Sequence, residues 1–372
     1  MPTVGLDILT NSEIRCFRAC QERHWVTYDL GIRKIVSEQP LRMGSAVHEA
    51  LDAHAKAKMD GLDAEECMTV GRGAIDDEYF TVPKWADERE WYGERERCRA
   101  MFIGYVWRWM NDPIEYIETE KTFDLPIVNP KTGRASRAFR RGGKIDKIAI
   151  WHGLKCVEEH KTTGESIDPE SDYWKRLRVD SQISGYFISA MKLGHDVETI
   201  LYDVIHKPGM RPLDKVPCLD TDGLKTVVHK ETGVRMHKAN GDPYLTAGRE
   251  EHTFLYRQET IEEYGKRLLA AIYSDPDKYY ARKEIPRTHV ELERYERDLW
   301  ATQQEIRTAR REGWHPANDD VCTKPFMCPI RDHCWEGYDW ESGPPPGFEI
   351  VDSIHPELEI NGEKNGTRTA AT

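Results

Sequence analysis

GGKIDKIAIWHGLKCVEEHKTT, residues 142–163, holds two alternating apolar runs on either side of His152 and Gly153. Glycine takes positive φ freely, and histidine is among the other residues enriched there, so this pair reads as a two-residue hairpin turn. With Trp151 opposite Leu154, the same register sets Asp146 across from Glu159, their Cβ atoms roughly 4.5–5.5 Å apart. Two carboxylates that close repel each other unless a cation lies between them. A divalent metal is such a cation, taking oxygen ligands from carboxylates, water and phosphate. Lys161 lies two residues beyond Glu159 and shares its strand face. Its ammonium can orient or deprotonate an attacking water, or neutralise charge growing on phosphorus. Glu158, by alternation, points to the opposite face and is a poor ligand. A Glu-x-Lys triplet without this register is a common accident of an exposed ladder.

Further strands are predicted outward from the hairpin. Segments 115–125, 139–151 and 154–161 alternate as strands, followed by a helix at about 172–193 and a strand at 198–206. Upstream, cap-type residues and the spacing of Ile14, Phe17, Trp25 and Tyr28 predict a helix over 11–29. Helices over 44–59, 63–78 and 88–111 complete a helical first third. Downstream, 207–258 is rich in Gly, Pro and Asp and reads as an insertion with hairpins, before helices at 259–275 and 289–312. GPPPG at 343–347 and the polar NGEKNGTRTAAT at 361–372 predict a loosely held tail. The chain thus divides into a helical part (1–112), a core (113–206), an insertion (207–258), C-terminal helices with a cysteine cluster (259–340) and a tail (341–372). The expected fold class is α/β, a mixed central sheet flanked by helices.

Hydrophobic residues make up 39% of the 372 and charged residues 32%, the balance of a folded chain rather than a disordered one. No run approaches the roughly 18 apolar residues of a membrane span, and MPTVGLDILTNSE lacks a basic start followed by an apolar stretch. A cytoplasmic location and no membrane partner are expected. In a reducing compartment the nine cysteines read as ligands or buried thiols rather than disulfides. A net charge of −12 excludes a protein that holds nucleic acid by its overall field. Local charge must serve instead: Arg134, Arg137, Arg140, Arg141, Lys144 and Lys147 cluster around one acid, Asp146. By itself this is a charged strand edge; beside Asp146 it becomes a candidate phosphate-binding patch. No phosphate-binding P-loop occurs, so any helicase would be a separate partner.

Four blocks, in order, resemble the PD-(D/E)XK nuclease superfamily, and within it the RecB-like, Cas4-like and phage exonuclease branch. They are SEIRCFRACQERHWVTY (12–28) with MGSAVHEAL (43–51), GGKIDKI with VEEHKTT, DSQISGYFISA (180–190), and the cysteines of VCTKPFMCPIRDHCWEG (321–337). The resemblance implies a restriction-endonuclease-like core in which Asp146, Glu159 and His48 bind Mg²⁺ or Mn²⁺ and Lys161 assists attack. It also implies that Gln182 and Tyr186, four apart on a helix, contact DNA or support Lys161. Read only as residues, His48 is an ordinary helix histidine, Gln182 a surface polar group and Tyr186 a half-buried aromatic. Gly44, one turn before His48, would let that helix approach the sheet closely. Glu120, in a strand before the hairpin, is a further acid near the centre.

Cys322, Cys328 and Cys334 form a C-x5-C-x5-C trio in which Pro325 and Pro329 favour loop backbone. In the family it resembles, an N-terminal cysteine joins such a trio on a [4Fe–4S] cluster, and Cys20 stands at that position. The first gap is longer than the family's commoner CxxC. A zinc site using His333, or unligated thiols, are the alternatives. Cys16 lies one turn before Cys20, while Cys67, Cys98, Cys156 and Cys218 read as structural. The expected activity is exonuclease action on linear DNA ends, single- or double-stranded, in recombination or repair of a phage or mobile element, beside a single-strand-annealing protein or helicase. A Cas4-like nuclease of CRISPR adaptation and a non-cutting DNA-binding scaffold are the rivals.

Overall fold

A computed structural model describes residues 6–35, 39–112, 114–324 and 327–358. Pro325 and the polar end at 361–372 lie outside them. Strand β1 (Asp7–Leu9) runs directly into helix α1 (Asn11–Ala19), whose N-cap Thr10 accepts the Glu13 N–H at 3.3 Å. The single helix expected over 11–29 is interrupted: Cys20 is extended, and the chain re-enters α2 (Gln21–His24) and a π-helical turn at Trp25–Asp29. Strand β2 (Ile32–Lys34) precedes three longer helices, α3 (Gln39–Met59), α4 (Ala64–Glu78) and α5 (Glu88–Arg108). Asp63 and Glu66 close a capping box at the start of α4, satisfying N–H groups that a helix leaves open.

The strands β3 (Ile114–Val128), β4 (Ala135–Trp151) and β5 (Leu154–Thr163) follow, longer than their sequence patterns but in the same places. The helix expected at 172–193 is two, α6 (Asp172–Leu177) and α7 (Ser181–Lys192), parted where Asp180 turns extended to cap the Gln182 N–H. Strand β6 (Thr199–His206) is buried along almost its whole length. Residues 207–258 carry two small ribbons, β7 (Val216–Pro217) with β10 (Tyr256–Arg257) and β8 (Val227–His229) with β9 (His252–Phe254). Then come α8 (Ile261–Ser274), β11 (Tyr280–Ile285), α9 (His289–Glu312), the short α10 (Arg331–Trp335) and β12 (Phe348–Ile350).

Six strands form one mixed sheet in the order β1-β4-β5-β6-β11, with β3 on the far edge of β4. The β1–β4 and β5–β6 pairs are parallel and the others antiparallel. Helices α3 and α5 cover one face, and α7 and α9 the other. The tail expectation is corrected for residues up to 358. β12 pairs with β2, Arg33 donates to the Ile354 carbonyl at 2.5 Å, and His355 reaches the buried Glu13 carboxylate at 3.0 Å, so this segment is held by a strand partner and an ion pair. Among the described residues no helix is long and apolar enough to cross a membrane.

Candidate active site

The turn between β4 and β5 has φ of 49° at His152 and 83° at Gly153, the two positive values a type I′ hairpin needs. Pairing runs from Trp151–Leu154 to Lys147–Glu158, one step short of Asp146 and Glu159. There the strands part. On the same edge, β4 pairs with β1 through Phe139, Arg140 and Arg141, so residues 142–146 face a fork between β1 and β5. On the other edge, the ladder with β3 pairs Thr119 with Lys147 and Lys121 with Ile145, which brings Glu120 opposite Asp146. Glu120 carries a φ of 50°, a strained value for a residue with a Cβ. Asp146 therefore stands between two acids from neighbouring strands, at the point where both ladders are disturbed.

Each sequence-derived site residue has a definite place around this fork. Glu159 is 1% exposed, forms an ion pair with Lys161, and leaves its Oε2 without a hydrogen-bond partner. Burial, then the Asp146 charge, holds its carboxyl above the ordinary range, while the same carboxylate keeps Lys161 protonated. Asp146 Oδ2 accepts the His160 backbone N–H at 3.3 Å and lies 3.7 Å from His48 Nδ1. Burial pushes the His48 imidazole down to about 4, with Lys161 adding to the shift, so the ring is neutral near pH 7 and has a free nitrogen lone pair. A Cβ on Gly44 would meet Thr162 Oγ1 at 3.2 Å, which shows how closely α3 crosses β5. Gln182 donates to the Tyr186 hydroxyl at 2.9 Å rather than pairing with Lys161; Tyr186 sits within electrostatic reach of Glu159, Asp146 and Lys161. Glu120 pairs with Lys144.

A buried oxygen without a donor, a second carboxylate and a neutral imidazole are the donor set of a divalent cation. Asp146, Glu159 and His48 fit that role.

On the opposite face lies a second polar cluster that the sequence reading did not find. Lys147 donates to His160 Nδ1 at 3.2 Å and pairs with Asp52 at 2.9 Å. Tyr105 donates to Asp203 at 2.7 Å, lies 3.0 Å from His160 Nε2, and accepts from Arg282 at 2.6 Å. Arg282 also pairs with Asp203 at 2.5 Å and with Asp112. Glu158, His160 and Asp203 bring ligand atoms within 4.8 Å of one another, a possible acidic metal group, but Arg282 and Lys147 already supply two positive charges there. The one available signal was the Gly44-His48-Asp52 spacing, which puts Asp52 on the His48 face of α3. Arg282 had none, since β11 was not foreseen.

The basic run does not form one patch. Arg134 and Arg137 are exposed, Arg140 pairs with Asp124 at 2.5 Å, Lys144 with Glu120, and Lys147 is buried against Asp52, leaving Arg141 as a buried cation at the fork. Of the cysteines, Cys67, Cys98 and Cys156 are buried, Cys218 is half-buried, and Cys16 accepts from Arg23 at 3.4 Å. Cys20 lies near the C-terminal trio. Asn318 donates to the Ala19 carbonyl at 2.8 Å, and burial first, then the neighbouring Glu22, Cys20, Cys322 and Cys328, pushes the Cys334 thiol up to about 11.

The model of the PD-(D/E)XK nuclease superfamily matches residues 8–335. A search of curated proteins gives no match.

Proposed function

The chain belongs to the PD-(D/E)XK nuclease superfamily, whose members are metal-dependent nucleases, and from that premise we propose that it degrades linear DNA from its ends with Mg²⁺ or Mn²⁺ held by Asp146, Glu159 and His48. The observation that carries this reading is the unpartnered Glu159 oxygen, buried beside the Asp146 carboxylate and a neutral His48. When bound, the metal supplies a Lewis acid for the phosphate and a water of lowered pKa. Lys161 holds the Glu159 carboxylate and presents an ammonium to charge developing on phosphorus. Tyr186, with Gln182 on its hydroxyl, walls the site on the α7 side.

End-directed action follows from the resemblance of the four blocks to the phage exonuclease branch. A recombination or repair setting of a phage or mobile element, with a single-strand-annealing protein as partner, follows from the resemblance of the four blocks.

For the cysteines the reading is a [4Fe–4S] cluster on Cys20, Cys322, Cys328 and Cys334. Among the described residues no three of these sulphurs gather within 4.8 Å. A zinc tetrahedron with bonds of about 2.3 Å needs edges of about 3.8 Å. The His333 ring, the alternative zinc ligand, is packed among Tyr338, Trp340 and Phe348 at centroid distances of 5.6, 5.9 and 5.4 Å.

The test is incubation with end-labelled linear and circular DNA, single- and double-stranded, in Mn²⁺ or in chelator. Shortening of linear DNA only, in metal only, is expected. Cut circles would overturn end-directed action, and intact linear DNA in Mn²⁺ would overturn the nuclease reading.

A further inference from the structure

Helix α3 carries Gly44, His48 and Asp52 at four-residue intervals, one stripe along its side. At one end of the stripe a Cβ on Gly44 would meet Thr162 Oγ1 at 3.2 Å, so the helix rests on β5 there. At the other end Asp52 pairs with Lys147 of β4 at 2.9 Å. His48 lies between these two points, with its Nδ1 3.7 Å from Asp146 Oδ2. Asp146 and Lys147 are neighbours on β4, so alternation turns the first toward Gln182 and Tyr186 of α7 and the second toward α3. Two rungs thus join α3 to β4, His48 with Asp146 and Asp52 with Lys147, about one turn apart on the helix and adjacent on the strand.

Lys147 is 1% exposed, and its ammonium has a second acceptor, His160 Nδ1, at 3.2 Å. An ammonium only donates, so Nδ1 accepts and the ring proton sits on Nε2, which donates to the Tyr105 hydroxyl at 3.0 Å. His160 is therefore held at both nitrogens. Its backbone N–H donates to Asp146 Oδ2 at 3.3 Å, and its ring meets that of His48 edge-on, with centroids 6.2 Å apart. One buried cation thus sets α3 through Asp52 and β5 through His160. Stability alone does not call for it, because a buried ion pair often contributes no more than apolar residues of the same volume. What it adds to packing is direction: hydrogen-bonded distances tolerate little sliding of the helix along the strand.

We propose that Lys147 is a positioning residue for the metal centre: held between Asp52 and His160, it fixes α3 against β4 so that His48 offers its nitrogen beside the Asp146 carboxylate. The assignment rests on the nuclease reading, in which His48 and Asp146 hold the divalent cation. Lys147 touches neither metal nor substrate in this role and acts through His48. Loss of the Asp52–Lys147 pair therefore weakens metal binding, and does so only while His48 is present.

The test is Mn²⁺ binding without DNA, read from the free-ion signal in electron paramagnetic resonance, in a double-mutant cycle with His48→Ala. Asp52→Ala would strand a buried ammonium, so the deciding variant is Asp52→Leu combined with Lys147→Met, which removes both charges at similar volume and leaves neither unpaired. This paired replacement should weaken Mn²⁺ binding about tenfold or more, as should His48→Ala, and the three changes together should bind no more weakly than His48→Ala alone. A pair that only supports packing would lower the melting temperature and leave the affinity at the wild-type value. That result would overturn the assignment, as would losses that multiply across the cycle, or a His48→Ala protein that binds Mn²⁺ as wild type does. A coupled loss of binding in a protein that leaves DNA intact in Mn²⁺ would sink the nuclease reading and keep the positioning role. Cleavage by wild type together with an uncoupled cycle would do the reverse.

Discussion

His48 Nδ1 lies 3.7 Å from Asp146 Oδ2, although α3 covers one face of the sheet and Asp146 shares the face of Glu159 and Ile148. The two meet because β5 leaves β4 just beyond the Lys147–Glu158 pair and opens a window through the sheet. In the proposed site the ring would offer a bound metal a nitrogen ligand from α3, in addition to the carboxylates of the strands. His48→Ala should therefore raise the Mn²⁺ concentration for half-maximal cleavage by about tenfold or more, with most of the maximal rate recovered at saturating metal. A metal-titration curve superimposable on wild type would show that His48 is not a ligand.

Metal should also stabilise the fold. The paired carboxylates repel each other in the metal-free protein, and a ligand that binds only the folded state adds about 2.7 kcal/mol at a hundred times its dissociation constant. Thermal unfolding of wild type should shift upward with Mn²⁺, and that of Asp146→Asn should not. An equal shift in both proteins would place the stabilising metal elsewhere, with Glu158, His160 and Asp203 as the next group to examine.

Lys161→Ala should lower the turnover number by about 10²–10⁴-fold, the usual reach of a proton-handling or charge-stabilising side chain, with oligonucleotide affinity in Ca²⁺ close to wild type. Single-turnover cleavage and anisotropy on the same preparation separate the two. A loss of binding equal to the loss of rate would make Lys161 a substrate anchor instead.

Glu13 ties the C-terminal segment to α1. Burial alone would raise its pKa, but hydrogen bonds and charge from His24 at 3.1 Å and His355 at 3.0 Å outweigh it, and the carboxyl lies below its ordinary 4.5. A depressed folded value means that this stabilisation is present above pH 4.5 and is lost as pH falls through the folded value. Urea midpoints of wild type should drop more steeply than those of Glu13→Gln below that point, and the variant should be about 1.5–3 kcal/mol less stable near neutrality. Parallel pH profiles would contradict the assignment.

For the cysteines, protein purified without oxygen should be brown, with a broad visible absorption that Cys328→Ser removes. Colourless protein containing one zinc per chain would favour the alternative.

Strand order around the hairpin, the His152-Gly153 turn and the shared face of Glu159 and Lys161 were legible in the sequence, because period-2 alternation and turn chemistry are local properties. The long helices were legible for the same reason, through caps and 3.6-residue spacing. Breaks at Cys20 and near Asp180 were not, since each depends on a turn that continuous helical spacing disguises. β1, β2 and β12 were missed because three-residue strands carry almost no pattern of their own.

Residues 142–163 alone were thus enough to single out the two acids and the lysine as candidates. How they are used was decided by contacts distant in sequence. Parallel pairing of Leu9 with Arg141 opens the fork, α3 brings His48 to it, and Arg282 on β11 neutralises the acids behind it. Local propensity can specify a strand or a turn, but a buried charge is tolerable only beside its partner. The packed fold alone sets that distance.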